Sequence, residues 1–386
     1  MFGIECNSRP LAKNSLHFLF FKPQNIESGH RRDRNDTFEI LRFDIQNGNY
    51  FILKKLVLII SISLFVFFCV ISCLLLDLLQ YAEMPANSNK TDSIVMIKPG
   101  QRFTATLNGL KNAGVIKNPI KFEMLARIKR YDKKIKAGEY LLSSSMPPIK
   151  ILETLASGKV RLYKMTVPEG YNMRQIASIV ARAKFATETN FLSAATDSSF
   201  VHELGIDAET LEGYLFPDTY YFPKNITSKK IITTMVKRFR SIFTPEFNKQ
   251  AKKLNLTIHQ VVTLASIIEK ETGASFERPI ISSVFHNRLR KRMRLESDPT
   301  VIYCIKNFDG NITRKHLSEQ TPYNTYQIRG LPPGPIANPG LKAIEAALFP
   351  EDTNFLYFVS KRDRTHKFST NIADHNIAVK KYQLRK

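Results

Sequence analysis

Residues 56–76 carry no charged side chain and are almost wholly aliphatic or aromatic. As a helix rising about 1.5 Å per residue, such a run is long enough to cross a hydrocarbon core of about 30 Å. Its backbone polar groups must then be satisfied internally, so helix is the only available form for a lone segment in lipid. Lys54 and Lys55 precede the run while Asp77 and Glu83 follow it. The positive-inside rule therefore puts residues 1–55 in the cytoplasm and everything after the run on the far side. A cleaved signal peptide is disfavoured by the length of the run and by the lack of an Ala-x-Ala-like site after it. Val70-Ile71-Ser72-Cys73 has the form of a lipoprotein cleavage box, but Leu74-Leu75-Leu76 continue the apolar run where a lipoprotein turns polar. The anchor is the preferred reading, and a mature N-terminus at Cys73 in mass spectrometry reverses it.

Residues 1–52 show weak periodicity and no capped helix, so loose order is expected there. Leu53-Lys54-Lys55-Leu56 reads like the start of a membrane anchor. One expectation is accordingly that translation begins at Leu53; peptides recovered from residues 1–52 in the native cell exclude it. The formal net charge is +23, of which residues 1–55 hold +3, leaving +20 beyond the apolar run. Such a charge suits polyanions, yet the basic residues are spread along the chain. They gather only at Arg288, Arg290, Lys291, Arg292 and Arg294. A solvated basic surface is favoured over a nucleic-acid site, and no nucleic acid is expected as a partner. Cys6, Cys69, Cys73 and Cys304 lie before, within and beyond the apolar run, so no internal disulfide is expected. No His-Glu-x-x-His or paired-cysteine spacing occurs, and neither a metal nor another cofactor is expected.

Past a polar linker, residues 93–160 read as a small module. Val95-Met96-Ile97 forms a strand turned by Pro99-Gly100, followed by a helix with Leu107, Leu110 and Val115, interrupted by Gly114. A second helix carries Phe122, Leu125 and Ile128, then Gly138-Glu139-Tyr140-Leu141-Leu142 makes another strand. A further helix over residues 149–156 stops at Gly158. Residues 161–386 form the larger body. Residues 160–167 alternate as a strand ended by Pro168, and Asn172 caps a helix striped by Ile176, Ile179 and Val180. An amphipathic helix follows over residues 228–243.

Thr257-Ile258-His259-Gln260 has the form of a capping box, and the helix it starts runs to Thr272 with Gly273 as its stop. Val261, Leu264, Ala265 and Ile268 make its apolar stripe. At about 100° per residue, Glu269 and Glu271 fall on opposite borders of that stripe. Periodicity does not choose between them, and by itself it favours two solvated carboxylates paired with Lys or Arg.

The run Ala265-Ser266-Ile267-Ile268-Glu269-Lys270-Glu271-Thr272 is similar to the signature of MltG/YceG-like endolytic murein transglycosylases. The similarity continues through Glu277-Arg278, Val284-Phe285-His286-Asn287-Arg288-Leu289 and Leu295-Glu296-Ser297-Asp298-Pro299-Thr300. It extends to Thr321-Pro322-Tyr323-Asn324-Thr325-Tyr326 and Gly330-Leu331-Pro332-Pro333-Gly334-Pro335-Ile336-Ala337-Asn338-Pro339-Gly340, with Glu212-Gly213-Tyr214-Leu215-Phe216-Pro217-Asp218 upstream. It spans residue 95 to the C-terminus. The N-terminal extension, Cys304 and His286 depart from the family pattern.

The resemblance implies an α+β protein: one transmembrane helix at residues 56–76, a LysM-like module at 93–160, and a mixed α/β catalytic domain at 161–386. It implies anchorage in the inner membrane of a bacterium, peptidoglycan glycan strands as substrate and peptidoglycan synthases as partners. It makes Glu271 the catalytic acid, with Glu269 the runner-up. Tyr323, Asn324, Tyr326 and Asn338 are the expected glycan-binding residues, since aromatic faces cover pyranose rings and amides pair with acetamido groups. Glu212 and Asp218 are expected to hold tight turns. Two rival readings remain: a hydrolase that uses Asp298 or Asp218 as second carboxylate, and a wall-binding scaffold without activity.

Overall fold

The computed structural model describes residues 36–384, with side chains from residue 51 onward. Helix α1 occupies Asp36–Glu83. The loose order expected for residues 1–52 thus gives way to helical backbone from Asp36, because extending an existing helix fixes only one residue per new hydrogen bond. The expectation for residues 1–35, Cys6 included, lies outside the described residues. Large apolar side chains between Phe51 and Leu76 are exposed along their length. Among the described residues α1 is the one helix long and apolar enough to cross a membrane.

Asp77–Lys386 is a compact unit whose buried apolar side chains fall into two sets, Leu78–Leu155 and Met165–Leu348. The first belongs to β1 (Asp92–Ile97), α2 (Phe103–Asn112), α3 (Pro119–Ile128), β2 (Gly138–Ser143) and α4 (Pro148–Ser157). β1 and β2 pair antiparallel, with Ile94 opposite Leu141. The helices pack Leu110, Phe122, Leu152 and Leu155 against Tyr140 and Leu142 of the sheet, and Leu78 and Ala82 from the end of α1 join them. α2 stops at Asn112, short of the predicted Val115: Gly114 adopts φ +69° and turns the chain, so Val115 is buried in a loop. α4 ends at Gly158 with φ +75°, as its sequence requires.

The second set is largely helical. β3 (Leu162–Thr166) pairs antiparallel with β4 (Thr219–Pro223). Between them stand α5 (Met173–Arg182), α6 (Glu188–Ala195) and α7 (Ser198–Glu203). The Asn172 capping box that starts α5 is present. α8 (Ser228–Ile242), α9 (Pro245–Lys253) and α10 (Ile258–Glu271) follow, then α11 (Arg278–Arg290), α12 (Asp298–Ile302), α13 (Arg314–Ser318) and α14 (Leu341–Leu348). The chain closes with the hairpin β5 (Tyr357–Ser360) and β6 (His366–Ser369) and with α15 (Ile372–Val379). The described sheets are three separate antiparallel pairs, which makes the class α+β.

α10 is the structural centre. Its stripe of Val261, Leu264, Ala265 and Ile268 covers one face only, yet every residue from Val261 to Ile268 is buried. α9, α11, α12 and α14 pack around it. The polar side chains on the remaining faces find partners inside: Ser266 Oγ donates to the Thr263 carbonyl at 2.7 Å and accepts from the Ile336 N–H at 3.0 Å.

Candidate active site

The capping box predicted for α10 forms in both directions, Gln260 N–H to Thr257 Oγ1 at 3.2 Å and Thr257 N–H to Gln260 Oε1 at 2.9 Å. It fixes where the helix begins and so which residues reach its far end. That end comes at Glu271, where Thr272 turns extended with φ −143°. Gly273 adopts no left-handed conformation, so it is not the stop that the sequence led one to expect; Thr272 performs the exit. Thr272 is buried and its hydroxyl accepts the Ala274 N–H at 2.9 Å.

The two carboxylates that periodicity left equivalent have unlike surroundings. Glu269 accepts from the buried Arg278 guanidinium at 2.7 Å and from the Gly340 N–H at 3.1 Å. Burial raises its pKa against the opposing pull of Arg278 and that N–H. Among the described residues no cation is in contact with Glu271. Its carboxylate accepts a short hydrogen bond from Ser297 Oγ. Burial pushes its pKa up to about 7, the Ser297 hydroxyl opposes, Asp298 raises it further and Arg288 lowers it. A carboxylic acid that keeps its proton near neutrality can donate it.

Ser297 is held by a second layer. Its N–H donates to Thr325 Oγ1 at 2.9 Å, and its carbonyl accepts from Thr300 Oγ1 at 2.6 Å. Upstream of it, Arg288 donates to the carbonyls of Arg294 (3.1 Å), Leu295 (2.9 Å) and Leu356 (2.7 Å). The basic cluster read as solvated surface is therefore not uniform. Arg288 is buried and ties three chain segments together, whereas Lys291, Arg292 and Arg294 are exposed. Nothing in the spacing of the arginines distinguishes that role.

Tyr326 donates to Asp298 Oδ1 at 2.7 Å, beside the Glu271 corner. Burial, the hydrogen bond to Asp298 and the nearby charges of Asp298 and Glu271 raise its pKa, so it stays a donor. Asp298 is exposed and sits near enough to act on Glu271. Asp218, the other second carboxylate considered, is paired with Arg238 at 2.7 Å and accepts from the Thr219 N–H. Burial raises the Asp218 pKa, but Arg238 and that N–H outweigh it and hold the group below its ordinary value.

A groove of about 930 Å³ opens along Asn172, Glu212, Lys270, Pro299, Tyr303 and Tyr323, among others. Its lining includes the chain neighbours of Glu271 and Asp298, though not those two residues. Tyr323 lies on its wall with its ring centroid 5.0 Å from that of Tyr303. The amides are placed differently from the sequence expectation. Asn324 is 1% exposed, and its Nδ2 donates to the carbonyls of His316, Leu317 and Glu319 while Oδ1 accepts from the Tyr326 N–H. Asn338 is 0% exposed; it donates to the Tyr171 carbonyl and Glu212 and accepts from the Leu215 N–H. Both amides are hydrogen-bonded to neighbouring chain segments, Asn324 beside a smaller cleft of about 190 Å³ and Asn338 beside Glu212 of the groove.

Glu212 forms a hub. Its carboxylate accepts from the Met173 N–H at 3.0 Å, from Asn338 Nδ2 at 3.0 Å and from the Tyr303 hydroxyl at 3.3 Å. Burial pushes its pKa up to about 7 against those donors.

Residues 95–381 match the YceG-like family. The chain belongs to that family. A Bacillus subtilis protein named endolytic murein transglycosylase is 34% identical over 316 residues, covering 78% of this chain and 87% of that protein. A Streptococcus pneumoniae protein of the same name is 29% identical over 326 residues; the match covers 76% of this chain and 59% of the pneumococcal one. The crystal structure of a YceG-like protein from Listeria monocytogenes superposes with a TM-score of 0.53 at 33% identity, covering 74% of this chain and 98% of that one.

Within this YceG-like fold, His286 and Cys304, two departures from the family pattern, have different surroundings. His286 Nε2 bonds the Ala347 carbonyl of α14 at 2.9 Å, and burial lowers its pKa. Cys304 is exposed on the groove. A further pair escaped the sequence analysis: buried Glu277 holds His366 by its N–H at 2.9 Å and by Nδ1 at 2.7 Å, fastening β6 to the start of α11.

Proposed function

We propose that this protein is an endolytic murein transglycosylase that cuts glycan strands of peptidoglycan, with Glu271 as its acid and base. The observation that carries this reading is the environment of Glu271: a carboxyl raised to about 7 that, among the described residues, has no cation in contact and takes a hydrogen bond from the Ser297 hydroxyl. The relatives named above supply the substrate class.

In the proposed reaction the Glu271 carboxylic acid gives its proton to the glycosidic oxygen as the bond to C1 of the muramic sugar breaks through an oxocarbenium-like transition state. The substrate's own N-acetyl oxygen stabilises C1, which removes the need for a second carboxylate. The ionised Glu271 then takes the proton of the 6-hydroxyl, whose oxygen closes on C1. The products are a free 4-hydroxyl and a 1,6-anhydro end, with no water consumed. Ser297 holds the ionised carboxylate between the two steps. Tyr323 and Tyr326 contact the glycan, while Asn324 and Asn338 shape the walls behind them.

The hydrolase reading is less well supported, because Asp298 is bonded to Tyr326 and Asp218 is paired with Arg238. Digestion of defined uncrosslinked glycan by the full chain in detergent separates the readings. Transglycosylation gives fragments whose masses sum to that of the substrate, and hydrolysis adds one water per cut. A scaffold gives no fragments at all.

In the same reading α1 is a single-pass anchor in the inner membrane, with its N-terminal side cytoplasmic and residues 77–386 outside. Cutting nascent strands there sets their length beside the synthases, which are the proposed partners. The strand-helix-helix-strand order of β1, α2, α3 and β2 supports a LysM-like assignment for residues 93–160.

A further inference from the structure

α3 carries two apolar faces, and only one of them is used. Phe122, Leu125 and Ala126 point into the module core. On the other side Ile120 is 72% exposed, Met124 47% and Ile128 58%. Their i, i+4, i+8 spacing aligns them as one stripe. Isolated exposed apolar residues are common, but a helix-long row is unusual for a surface facing water.

The stripe is bordered by positive charge. Residues 111–136 contain nine Lys or Arg and two Asp or Glu. α3 also lies close to the first residues of the compact unit. Lys121 Nζ is 2.7 Å from the carboxylate of Asp77, the residue that follows Leu76. The Tyr81 hydroxyl donates to the Asn118 carbonyl at 2.9 Å, just before α3 starts. A cleft of about 290 Å³ lies here, lined by Tyr81, Met84, Ile116, Lys117 and Lys121 among others.

From these observations we infer that α3 is an interfacial helix: its Ile120–Met124–Ile128 stripe dips into the outer surface of the membrane that α1 crosses, and the lysines and arginines flanking the helix, Lys117, Lys129 and Arg130 among them, bind anionic lipid headgroups, while Lys121 and Arg127 are held by Asp77 and Glu123. Apolar side chains flanked by Lys and Arg bind membranes by this division of labour, apolar contact with the acyl boundary and attraction of anionic headgroups. Charge complementarity selects lipid over an uncharged surface, and the tie to Asp77 supplies the proximity. The inference rests on the proposed role of α1 as a membrane anchor and does not need the proposed chemistry of Glu271. Its consequence for that reading is geometric, since a second point of attachment restricts how the unit beyond Asp77 tumbles about its tether.

The chain contains no tryptophan, so a single introduced one reports its own surroundings. Met124→Trp and Ile128→Trp are placed in the full-length protein, reconstituted into vesicles of phosphatidylcholine and phosphatidylglycerol whose acyl chains are brominated near the headgroup. Tyr221→Trp, at an exposed position of β4, is the reference. The expected result is a blue-shifted emission and about twofold quenching at 124 and 128, with little at 221. The quenching should fall by half or more when phosphatidylglycerol is omitted, or in a Lys117→Glu, Lys129→Glu, Arg130→Glu background. Emission at 124 and 128 indistinguishable from that at 221 overturns the inference. So does an emission shift that requires glycan strands instead of lipid. Quenching unchanged without phosphatidylglycerol overturns the headgroup assignment.

Discussion

The Glu212 hub and the Glu271 corner each bury a carboxyl whose pKa is pushed to about 7, with desolvation the dominant cause in both. By that measure they are twins, and Glu212 even has the better access to the groove. They differ in what surrounds the oxygens. Glu212 is enclosed by donors on separate segments, from Met173, Asn338 and Tyr303, which fix its position and occupy its lone pairs. Among the described residues Glu271 has Ser297 alone as a side-chain donor, and it adjoins a Tyr326–Asp298 pair. A raised pKa therefore marks burial, and unfilled hydrogen-bond capacity marks the group able to serve a substrate.

The largest test of the contrast exchanges each acid for its amide. Glu271→Gln is expected to lower kcat by about 10²–10⁴-fold, since the amide keeps the shape of the acid but cannot transfer a proton. Anhydro-product formation by purified full-length protein measures it. Glu269→Gln is the control and should retain most activity in its folded fraction. If Glu269→Gln is the inactive one, the acid is two residues away from where it has been placed. If neither loses activity, α10 does not carry the chemistry.

Next in size is the ion pair that separates Glu269 from Glu271. Arg278→Met leaves a buried carboxylate without its cation, and removing one partner of a buried pair costs about 3–5 kcal/mol. A melting curve lowered by much less would mean that Glu269 is better solvated than its contacts show. Restoring charge with Arg278→Lys should recover only part of the loss, because Arg278 is buried and a compact ammonium fills its place poorly.

Much of this organisation was legible before any coordinates. The long apolar helix follows from residues 56–76, whose uninterrupted apolar composition marks it. The α10 start follows from Thr257 and Gln260, and the end of α4 from Gly158, because caps are local and their chemistry is written in a few neighbouring residues. Helix period alone favoured two solvated carboxylates at Glu269 and Glu271, and it was the family resemblance that made Glu271 the acid with Glu269 as runner-up. What stayed hidden was non-local. Arg278 beside Glu269, Ser297 on Glu271 and the enclosure of Asn338 by Tyr171, Leu215 and Glu212 each join residues that only tertiary packing brings together. Asn324 and Asn338 looked like ligand groups for the same reason: an amide in a polar loop has the same sequence signature whether it faces a sugar or a carbonyl.

Glu212→Gln is expected to do the opposite of Glu271→Gln. Its new amide hydrogens must face the Met173 N–H or Asn338 Nδ2, both donors. A buried donor left without an acceptor costs about 1–3 kcal/mol. Stability should fall most below about pH 4.5, where the parent carboxyl is protonated, and the difference should shrink as pH rises through about 7, where the amide removes the ionisation. The folded fraction keeps kcat within about tenfold, well short of the loss of a general acid. A kcat loss as large as that of Glu271→Gln, with an unchanged melting temperature, would make Glu212 the acid and reverse the comparison.

The smallest effect is the most specific to the Glu271 corner, and it concerns pH. The folded-state pKa of Glu271 lies at about 7, above its ordinary value of 4.5. Between those values the folded protein holds a proton that the unfolded chain has released, so stability falls as pH rises through that window. The contribution is fully present below about pH 4.5 and is lost above about pH 7. Glu271→Gln removes the ionisation and with it the loss, so the variant should be more stable than the parent at pH 8 and nearly equal to it at pH 4. Ser297→Ala acts on the same equilibrium from the other side. The Ser297 hydroxyl stabilises the ionised carboxylate, so its removal raises the pKa and keeps the acid protonated to higher pH. The alkaline limb of the pH–rate profile should then move upward by about a unit or less, as the loss of one hydrogen bond to a charged group allows. A limb that moves down would show Ser297 donating to the protonated state instead, and an unmoved limb would place the titrating group elsewhere than at Glu271.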